Sequence, residues 1–113
     1  MVLVDNENNV RITRGDSVVF DVDIVDTDGN PYTMRANESI IFTVRKMYGK
    51  GNILIQKEAS GPVIELLSED TNLLPFGNYH YDIFLYNEET DMIDTFIAAR
   101  DFIIESEVHF SDV

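Results

Sequence analysis

Residues 17–25 read Ser-Val-Val-Phe-Asp-Val-Asp-Ile-Val, and this stretch decides the fold class. Apolar side chains occupy every second position, whereas Asp21 and Asp23 occupy positions between them. Such alternation is typical of a β-strand that turns one face to a core and the other to water. The stretch therefore predicts a sheet with one buried face.

The same period of two recurs along the chain and predicts about seven or eight strands. The further predicted strands cover residues 10–13, 40–45, 53–58, 63–67, 78–86 and 92–108, the last as one strand or as two that break near Ala98–Asp101. No window of helical length shows a period of 3.6 residues. The best helical candidate is the single turn Ser68–Asn72, which Ser68 or Asp70 would cap.

Segments rich in Gly, Asp and Asn separate these strands. Asp28-Gly29 suits a tight reversal, and the two glycines in Tyr48–Asn52 indicate a hairpin tip. Short strands at this spacing indicate a sandwich or barrel. We therefore expect an all-β, antiparallel β-sandwich that forms a single domain over residues 1–113, with residues 1–9 as a flexible N-terminal arm.

The inward positions of the predicted strands give a predicted core. Its members are Val18, Phe20, Val22, Ile24, Ile40, Phe42, Val44, Ile55, Tyr79, Tyr81, Ile83, Phe102 and Ile104. Tyr79 follows a corner that contains Pro75 and Gly77 and begins an alternating strand. A buried tyrosine there needs a partner for its hydroxyl, so we expect a structural corner in which Tyr79 bonds to the backbone a few residues upstream.

Composition excludes several classes of function. The chain has 113 residues, with 21 Asp and Glu against 8 Lys and Arg, a net charge of −13 and no Cys. A nucleic-acid partner is not expected, since phosphate binding needs a basic surface. No apolar run approaches the roughly 20 residues that span a bilayer, and no secretory signal is visible at the N-terminus, so neither a membrane nor a disulfide framework is expected.

Five stretches of the sequence resemble segments of a known protein family. They are Arg14-Gly-Asp-Ser-Val-Val-Phe-Asp-Val, Asp28-Gly-Asn-Pro, Glu38-Ser-Ile-Ile-Phe-Thr-Val-Arg-Lys, Asp70-Thr-Asn-Leu-Leu-Pro-Phe-Gly-Asn-Tyr-His-Tyr-Asp-Ile and Phe102-Ile-Ile-Glu-Ser-Glu-Val. Their order resembles small domains of tailed-phage structural proteins, including the N-terminal domain of phage baseplate upper proteins. The resemblance implies an Ig-like sandwich with a packing or adaptor role in the virion, assembled in the bacterial host cytoplasm, and no catalysis.

No arrangement of residues predicts a catalytic, cofactor or metal site. No serine lies in a Gly-x-Ser-x-Gly elbow, and His80 and His109 are too few for zinc without Cys. His80 alternates with the inward tyrosines and is expected at the surface. The tripeptide Arg14-Gly15-Asp16 is interpreted as a turn between strands.

An acidic stretch leaves open whether the chain binds a cation. Its four carboxylates are Asp21, Asp23, Asp26 and Asp28. They could supply oxygen ligands for calcium, but the EF-hand spacing is not met. The outward face of a strand also explains Asp21 and Asp23, and a turn explains Asp28.

Aromatic residues off the predicted core face leave two interpretations open. Tyr32, Tyr48, Phe84 and Tyr86 could stack on sugars, which would make the chain a carbohydrate- or cell-surface-binding module. Alternatively, Phe84 and Tyr86 share the outer face of one strand and form a possible interface with another subunit. The second interpretation, with other phage structural proteins as partners and a homo-oligomer as the state, agrees with the resemblance.

Overall fold

The computed structural model describes residues 2–4, 8–47 and 50–105. Its elements are β1 (Val2–Val4), β2 (Val10–Thr13), β3 (Val18–Asp21), β4 (Glu38–Met47), β5 (Lys50–Ala59), β6 (Val63–Leu66), α1 (Ser68–Asn72), β7 (Gly77–Asn87) and β8 (Met92–Glu105). The prediction of an all-β sandwich of seven or eight strands is confirmed, with eight strands in the described residues. The predicted helical turn is α1, and the last predicted strand is one strand as far as Glu105.

Two sheets of unequal size form the layers. The larger has the order β1-β2-β8-β7-β4-β5, and the smaller pairs β3 with β6. Pairing is antiparallel except between β2 and β8, where Val10 lies opposite Phe102 and Thr13 opposite Glu105 in a parallel register. A parallel pair needs a long connection, and nearly the whole domain lies between these two strands.

The core lies between the inner faces of the two sheets. Rings of Phe42, Tyr81 and Phe102 meet there, with centroids 5.2 to 6.3 Å apart. Val18 and Phe20 are only partly buried, in correction of the predicted core, because the two-stranded sheet covers only part of the larger one. Four buried apolar residues of the described part of the chain lie outside the predicted core, and they are Val10, Ile12, Ile64 and Leu66.

One local departure from the predicted pattern has a clear cause. Ile53 lies two positions before the predicted core residue Ile55, so alternation alone would place it inward, but the pairing shifts so that Val44 opposes Ile55 while Arg45 opposes Ile53. The extra residue, Leu54, is a β-bulge, and Ile53 is 47 % exposed as a result. Within the predicted arm, residues 1–9, Val2–Val4 form β1 and pair antiparallel with β2.

The single-turn helix is fixed by one carboxylate. Asp70 accepts a 2.6 Å hydrogen bond from the amide of Leu67, which satisfies a donor at the start of α1. The same carboxylate forms a 2.9 Å ion pair with Lys57. The N-cap position is Leu67, and Asp70, one of the two predicted caps, lies three residues later, where its carboxylate binds the N-cap amide and joins the turn to β5.

The long axis of the molecule runs along the strands. The extents are 50 × 27 × 22 Å, and a strand as long as β8 spans about 46 Å at ~3.3 Å per residue. One end carries the turn at residues 14–16, α1 and the loop 73–76, whereas the other carries residues 26–37 and the β7–β8 turn. No helix within the described ranges has the length and apolarity to cross a membrane.

Candidate protein-interaction site

A groove of about 590 Å³ opens at the end of the sandwich that carries the β7–β8 turn. Its walls come from residues 24–27 after β3 and from the first residues of β8. Val25, Met92 and Ile93, which line it, are 58 %, 66 % and 61 % exposed. Large exposed apolar side chains beside a cleft mark a surface that can bind another apolar group. We call this end of the molecule the groove end.

A buried carboxylate holds the floor of the groove. Glu38 is 7 % exposed and accepts hydrogen bonds from the Tyr32 hydroxyl at 2.7 and 2.8 Å and from the Arg35 amide at 2.7 Å. The bond to Glu38 raises the pKa of Tyr32, because a phenolate beside a carboxylate is unfavourable. These hydrogen bonds to Glu38 hold the loop 32–38 in place.

The β7–β8 turn forms the opposite rim and is also well fixed. The Asn87 side-chain oxygen accepts hydrogen bonds from the amides of Glu89 and Thr90 and from the side chain of Asn37. A further bond joins the Glu88 amide to the Asn37 carbonyl at 3.0 Å. Since the two loops are bonded to each other, the groove is bounded by a preformed frame.

The predicted interface residues lie beside the groove. Phe84 and Tyr86 are partly buried on the outer face of the larger sheet, where Tyr86 is the cross-strand neighbour of Ile93. The Tyr86 hydroxyl donates a 2.7 Å hydrogen bond to Asp91, and this bond raises the pKa of Tyr86. The outer face around Phe84 is therefore continuous with the exposed rim at Ile93.

A second cavity of about 400 Å³ continues from the groove between the sheets. It shares Val25 and Phe96 with the groove and reaches the core rings of Phe42 and Tyr81. Phe20 also lines it, which explains the incomplete burial of that ring. The space exists because the two-stranded sheet leaves the side of β8 open.

The corner residue Tyr79 lies at the other end of the molecule. Its ring is 3 % exposed, and its hydroxyl donates a 2.7 Å hydrogen bond to the carbonyl of Pro75, the kind of contact predicted for it. Burial raises the pKa of Tyr79. The Lys46 ammonium lies 4.5 Å from the ring centroid. Tyr79 thus fixes the loop 73–76 to β7 and has a structural role.

The acidic stretch does not form one cluster. Asp26 accepts hydrogen bonds from the amides of Asp28 and Asn30 at 2.9 and 3.0 Å, so it closes its own loop. Asp21 and Asp23 lie at the mouth of the second cavity. Among the described residues, no three His, Cys, Asp or Glu side chains are placed to hold a metal ion.

The outer face of the larger sheet carries a row of polar side chains. His80, which was expected at the surface, has only 17 % of its side chain exposed and lies 3.3 Å from Asp101. Burial raises the pKa of the neighbouring Asp82, against the opposing effect of Arg45 at 3.8 Å. Neighbouring side chains on the outer face of the sheet cover His80 and Asp82. Alternation along one strand cannot predict this burial, because it says nothing about side chains on adjacent strands.

The Arg14-Gly15-Asp16 segment is a turn, as predicted. Gly15 has a φ of 87° and its amide donates a 2.9 Å hydrogen bond to the Thr71 hydroxyl. The Arg14 guanidinium lies 4.4 Å from the centroid of the Phe76 ring. The turn is thus joined to α1 and to the loop 73–76.

Comparison with known proteins was made at the level of sequence. No protein-family model matches the chain, and no curated protein matches it significantly.

Proposed function

We propose that this protein is a non-enzymatic structural or adaptor component of a tailed phage or prophage, in the tail or baseplate, that acts through protein–protein contacts. The observation that carries the proposal is the groove end, where exposed Val25, Met92 and Ile93 adjoin the outer face at Phe84 and Tyr86. Aromatic and aliphatic side chains around a preformed groove are typical of the centre of a protein interface.

The polar groups of the groove favour binding over catalysis. Glu38 is occupied by Tyr32 and Arg35, and Asp26 by backbone amides. Glu38 and Asp26 thus each hold a loop in place, while the exposed apolar side chains of Val25, Met92 and Ile93 stand beside the exposed polar residues Thr27, Thr90 and Asp94. Such a frame suits a docking surface whose shape is fixed before the partner arrives.

The phage assignment rests on the resemblance of the sequence, and two features support it. The hydrogen bond from Tyr79 to Pro75 is of the kind that Ig-like sandwiches use at a corner. The absence of Cys from the sequence suits assembly in a reducing host cytoplasm before incorporation into the virion. Expected partners are other phage structural proteins and further copies of this chain.

The proposal is tested in the phage or lysogen that carries the gene. Particles are purified by density gradient and examined by mass spectrometry, and a deletion strain is examined by electron microscopy. Peptides of this chain in the particles, together with tail or baseplate defects in the deletion strain, would support the proposal. Intact, infectious particles without the protein would overturn it.

A chromosomal Ile93→Arg substitution would link the role to the groove end. Val19→Arg is the matched control, because Val19 is 58 % exposed on the outer face of the smaller sheet. We expect Ile93→Arg to reproduce the assembly defect and Val19→Arg to assemble normally. Specific glycan binding by a protein that is absent from particles would instead favour a carbohydrate-binding module.

A further inference from the structure

We propose that successive copies of this chain bind head to tail, with the loop 73–76 of one copy in the groove end of the next. The inference rests on the proposed function and deepens it by naming one partner as a second copy of this chain. The binding element would be the apical patch, which we define as Leu73 and Phe76.

The apical patch projects from the end of the molecule opposite the groove. Leu73 is 88 % exposed, the highest value among the large apolar side chains described, and Phe76 is 50 % exposed. The loop is not loose, because the Pro75 carbonyl is bonded to Tyr79 and the Leu74 amide to the Thr71 carbonyl at 3.1 Å. A rigid loop with an exposed leucine loses little conformational entropy when it binds.

The groove end offers a matching receptor. Its volume of about 590 Å³ and its exposed rim of Val25, Met92 and Ile93 can take apolar side chains from a protruding loop. The loop 73–76 and the groove end are separated by the length of β7, which begins at Gly77 and ends at Asn87. Contact between them uses two different surfaces of the same chain, which is a heterologous interface.

Charge distinguishes the two ends and favours this pairing. The loops around the groove, residues 26–38 and 87–94, carry the carboxylates of Asp26, Asp28, Glu38, Glu88, Glu89, Asp91 and Asp94 against the single cation Arg35. At the other end, Asp16, Glu69 and Asp70 are nearly balanced by the cations Arg14, Lys46 and Lys57, and Arg14 and Lys46 lie against the rings of Phe76 and Tyr79. The apical patch therefore presents apolar groups from a nearly neutral end to a groove whose surroundings are strongly acidic.

The size of the contact limits its strength. An end face of 27 × 22 Å would bury at most about 600 Å² on each copy, near the lower limit of roughly 1,200 Å² in total for specific interfaces. The net charge of −13 adds long-range repulsion between copies, which salt at about 0.15 M screens beyond ~8 Å. We therefore expect concentration-dependent association in the micromolar to millimolar range.

Sedimentation velocity at about 0.15 M salt tests the association with two single variants. Leu73→Asp places a carboxylate opposite the acidic groove, and Ile93→Arg places a cation opposite Arg14 and Lys46. We expect each variant alone to weaken self-association about tenfold or more. The controls Val19→Asp and Val19→Arg should associate like the unmodified protein.

Mixing the two variants gives the decisive readout. Leu73→Asp retains an intact groove and Ile93→Arg an intact apical patch, so an equimolar mixture should form a dimer and nothing larger. A symmetric interface, through the Phe84 face for example, would leave both variants and their mixture in the same state. A mixture without dimers, or an unmodified protein that stays monomeric up to millimolar concentration, would overturn head-to-tail binding.

The outcomes separate this inference from the proposed function. If the protein is present in virions but is monomeric at every concentration, the head-to-tail inference fails and the structural role remains. If the mixture forms the dimer but the protein is absent from particles, self-association holds and the phage role fails.

Discussion

The Tyr79 hydroxyl bonds the Pro75 carbonyl at 2.7 Å, and this contact ties the loop 73–76 to β7. Tyr79→Phe keeps the buried ring but leaves the carbonyl without that donor. We expect the free energy of unfolding, measured with urea, to fall by about 1–2 kcal/mol. Tyr86→Phe removes a hydroxyl that bonds an exposed carboxylate and should cost less than about 0.5 kcal/mol. Equal losses in the two variants would contradict this role for Tyr79.

The Glu38 carboxylate supports the groove end through Tyr32 and Arg35. Glu38→Ala leaves the hydroxyl and the amide without their acceptor, so we expect a loss of about 2–4 kcal/mol in urea unfolding. Hydrogen exchange of residues 32–38 should accelerate in the same variant. Glu58→Ala, at an exposed position of β5, is the control and should change neither quantity. Unchanged exchange in Glu38→Ala would show that the loop is held by other contacts.

Asp70 links α1 to β5 through Leu67 and Lys57. Asp70→Ala removes both the bond to the Leu67 amide and the ion pair with Lys57, and we expect thermal unfolding to show a loss of about 1–2 kcal/mol. Glu69→Ala, the exposed neighbour in the same turn, should change stability by less than about 0.5 kcal/mol. A similar loss in both variants would assign the effect to the loss of a negative charge in the first turn, and not to the two contacts of Asp70.

Asp82 makes stability depend on pH in the acid range. Burial raises the pKa of Asp82 in the folded state, so its neutral form is favoured by folding. Its stabilising contribution is present below the unfolded pKa of about 3.9 and is lost as pH rises through the folded pKa. Asp82→Asn should therefore be more stable than the unmodified protein at pH 7, and the difference should shrink towards pH 3.

The matched control for Asp82 is Asp28→Asn. Asp28 is an exposed loop carboxylate, and the substitution removes the same unit of charge from a chain of −13. An equal gain in both variants would assign the effect to net charge and not to the burial of Asp82.

Tyrosine ionisation gives a second test at alkaline pH. The hydrogen bond to Glu38 raises the pKa of Tyr32, so this contribution to stability is intact below the unfolded pKa of about 10 and is lost as pH rises through the folded pKa. Absorbance at a wavelength where tyrosinate absorbs, followed as the pH is raised, should show that the pKa of Tyr32 is higher than that of free tyrosine. Comparison with Tyr32→Phe assigns the group, and a Tyr32 titration at the free value would contradict the bond.

Local sequence predicted the strands but not every face. Alternation places Ile40, Phe42 and Val44 inward because each strand carries its own pattern. The bulge at Leu54 depends on how β4 pairs with β5, so alternation alone places Ile53 on the wrong face. Ile64 and Leu66 alternate as well, but their strand has only four residues, too few for the period to identify a core face.

The groove end could not be predicted from any single stretch. Its walls combine Val25, Tyr32 and Glu38 with Met92 and Ile93, which lie more than fifty positions away in the chain. Phe84 and Tyr86 were predicted as a shared outer face, because two positions of one strand are a local property. Their proximity to Ile93 depends on the register in which β7 pairs with β8. This register is shifted by irregularities near Ile83 that the sequence alone does not reveal.

The parallel pairing of β2 with β8 has a consequence for synthesis on the ribosome. Arg11 and Glu105, which pair across these strands, are 94 positions apart in the chain. Val10 and Ile12 therefore lack their neighbours Phe102 and Ile104 until almost all described residues have emerged. Non-local pairing of this kind slows folding and leaves apolar strand edges open in nascent chains. A ribosome stalled before β8 would hold a chain that is prone to aggregation, in which the larger sheet cannot yet be completed.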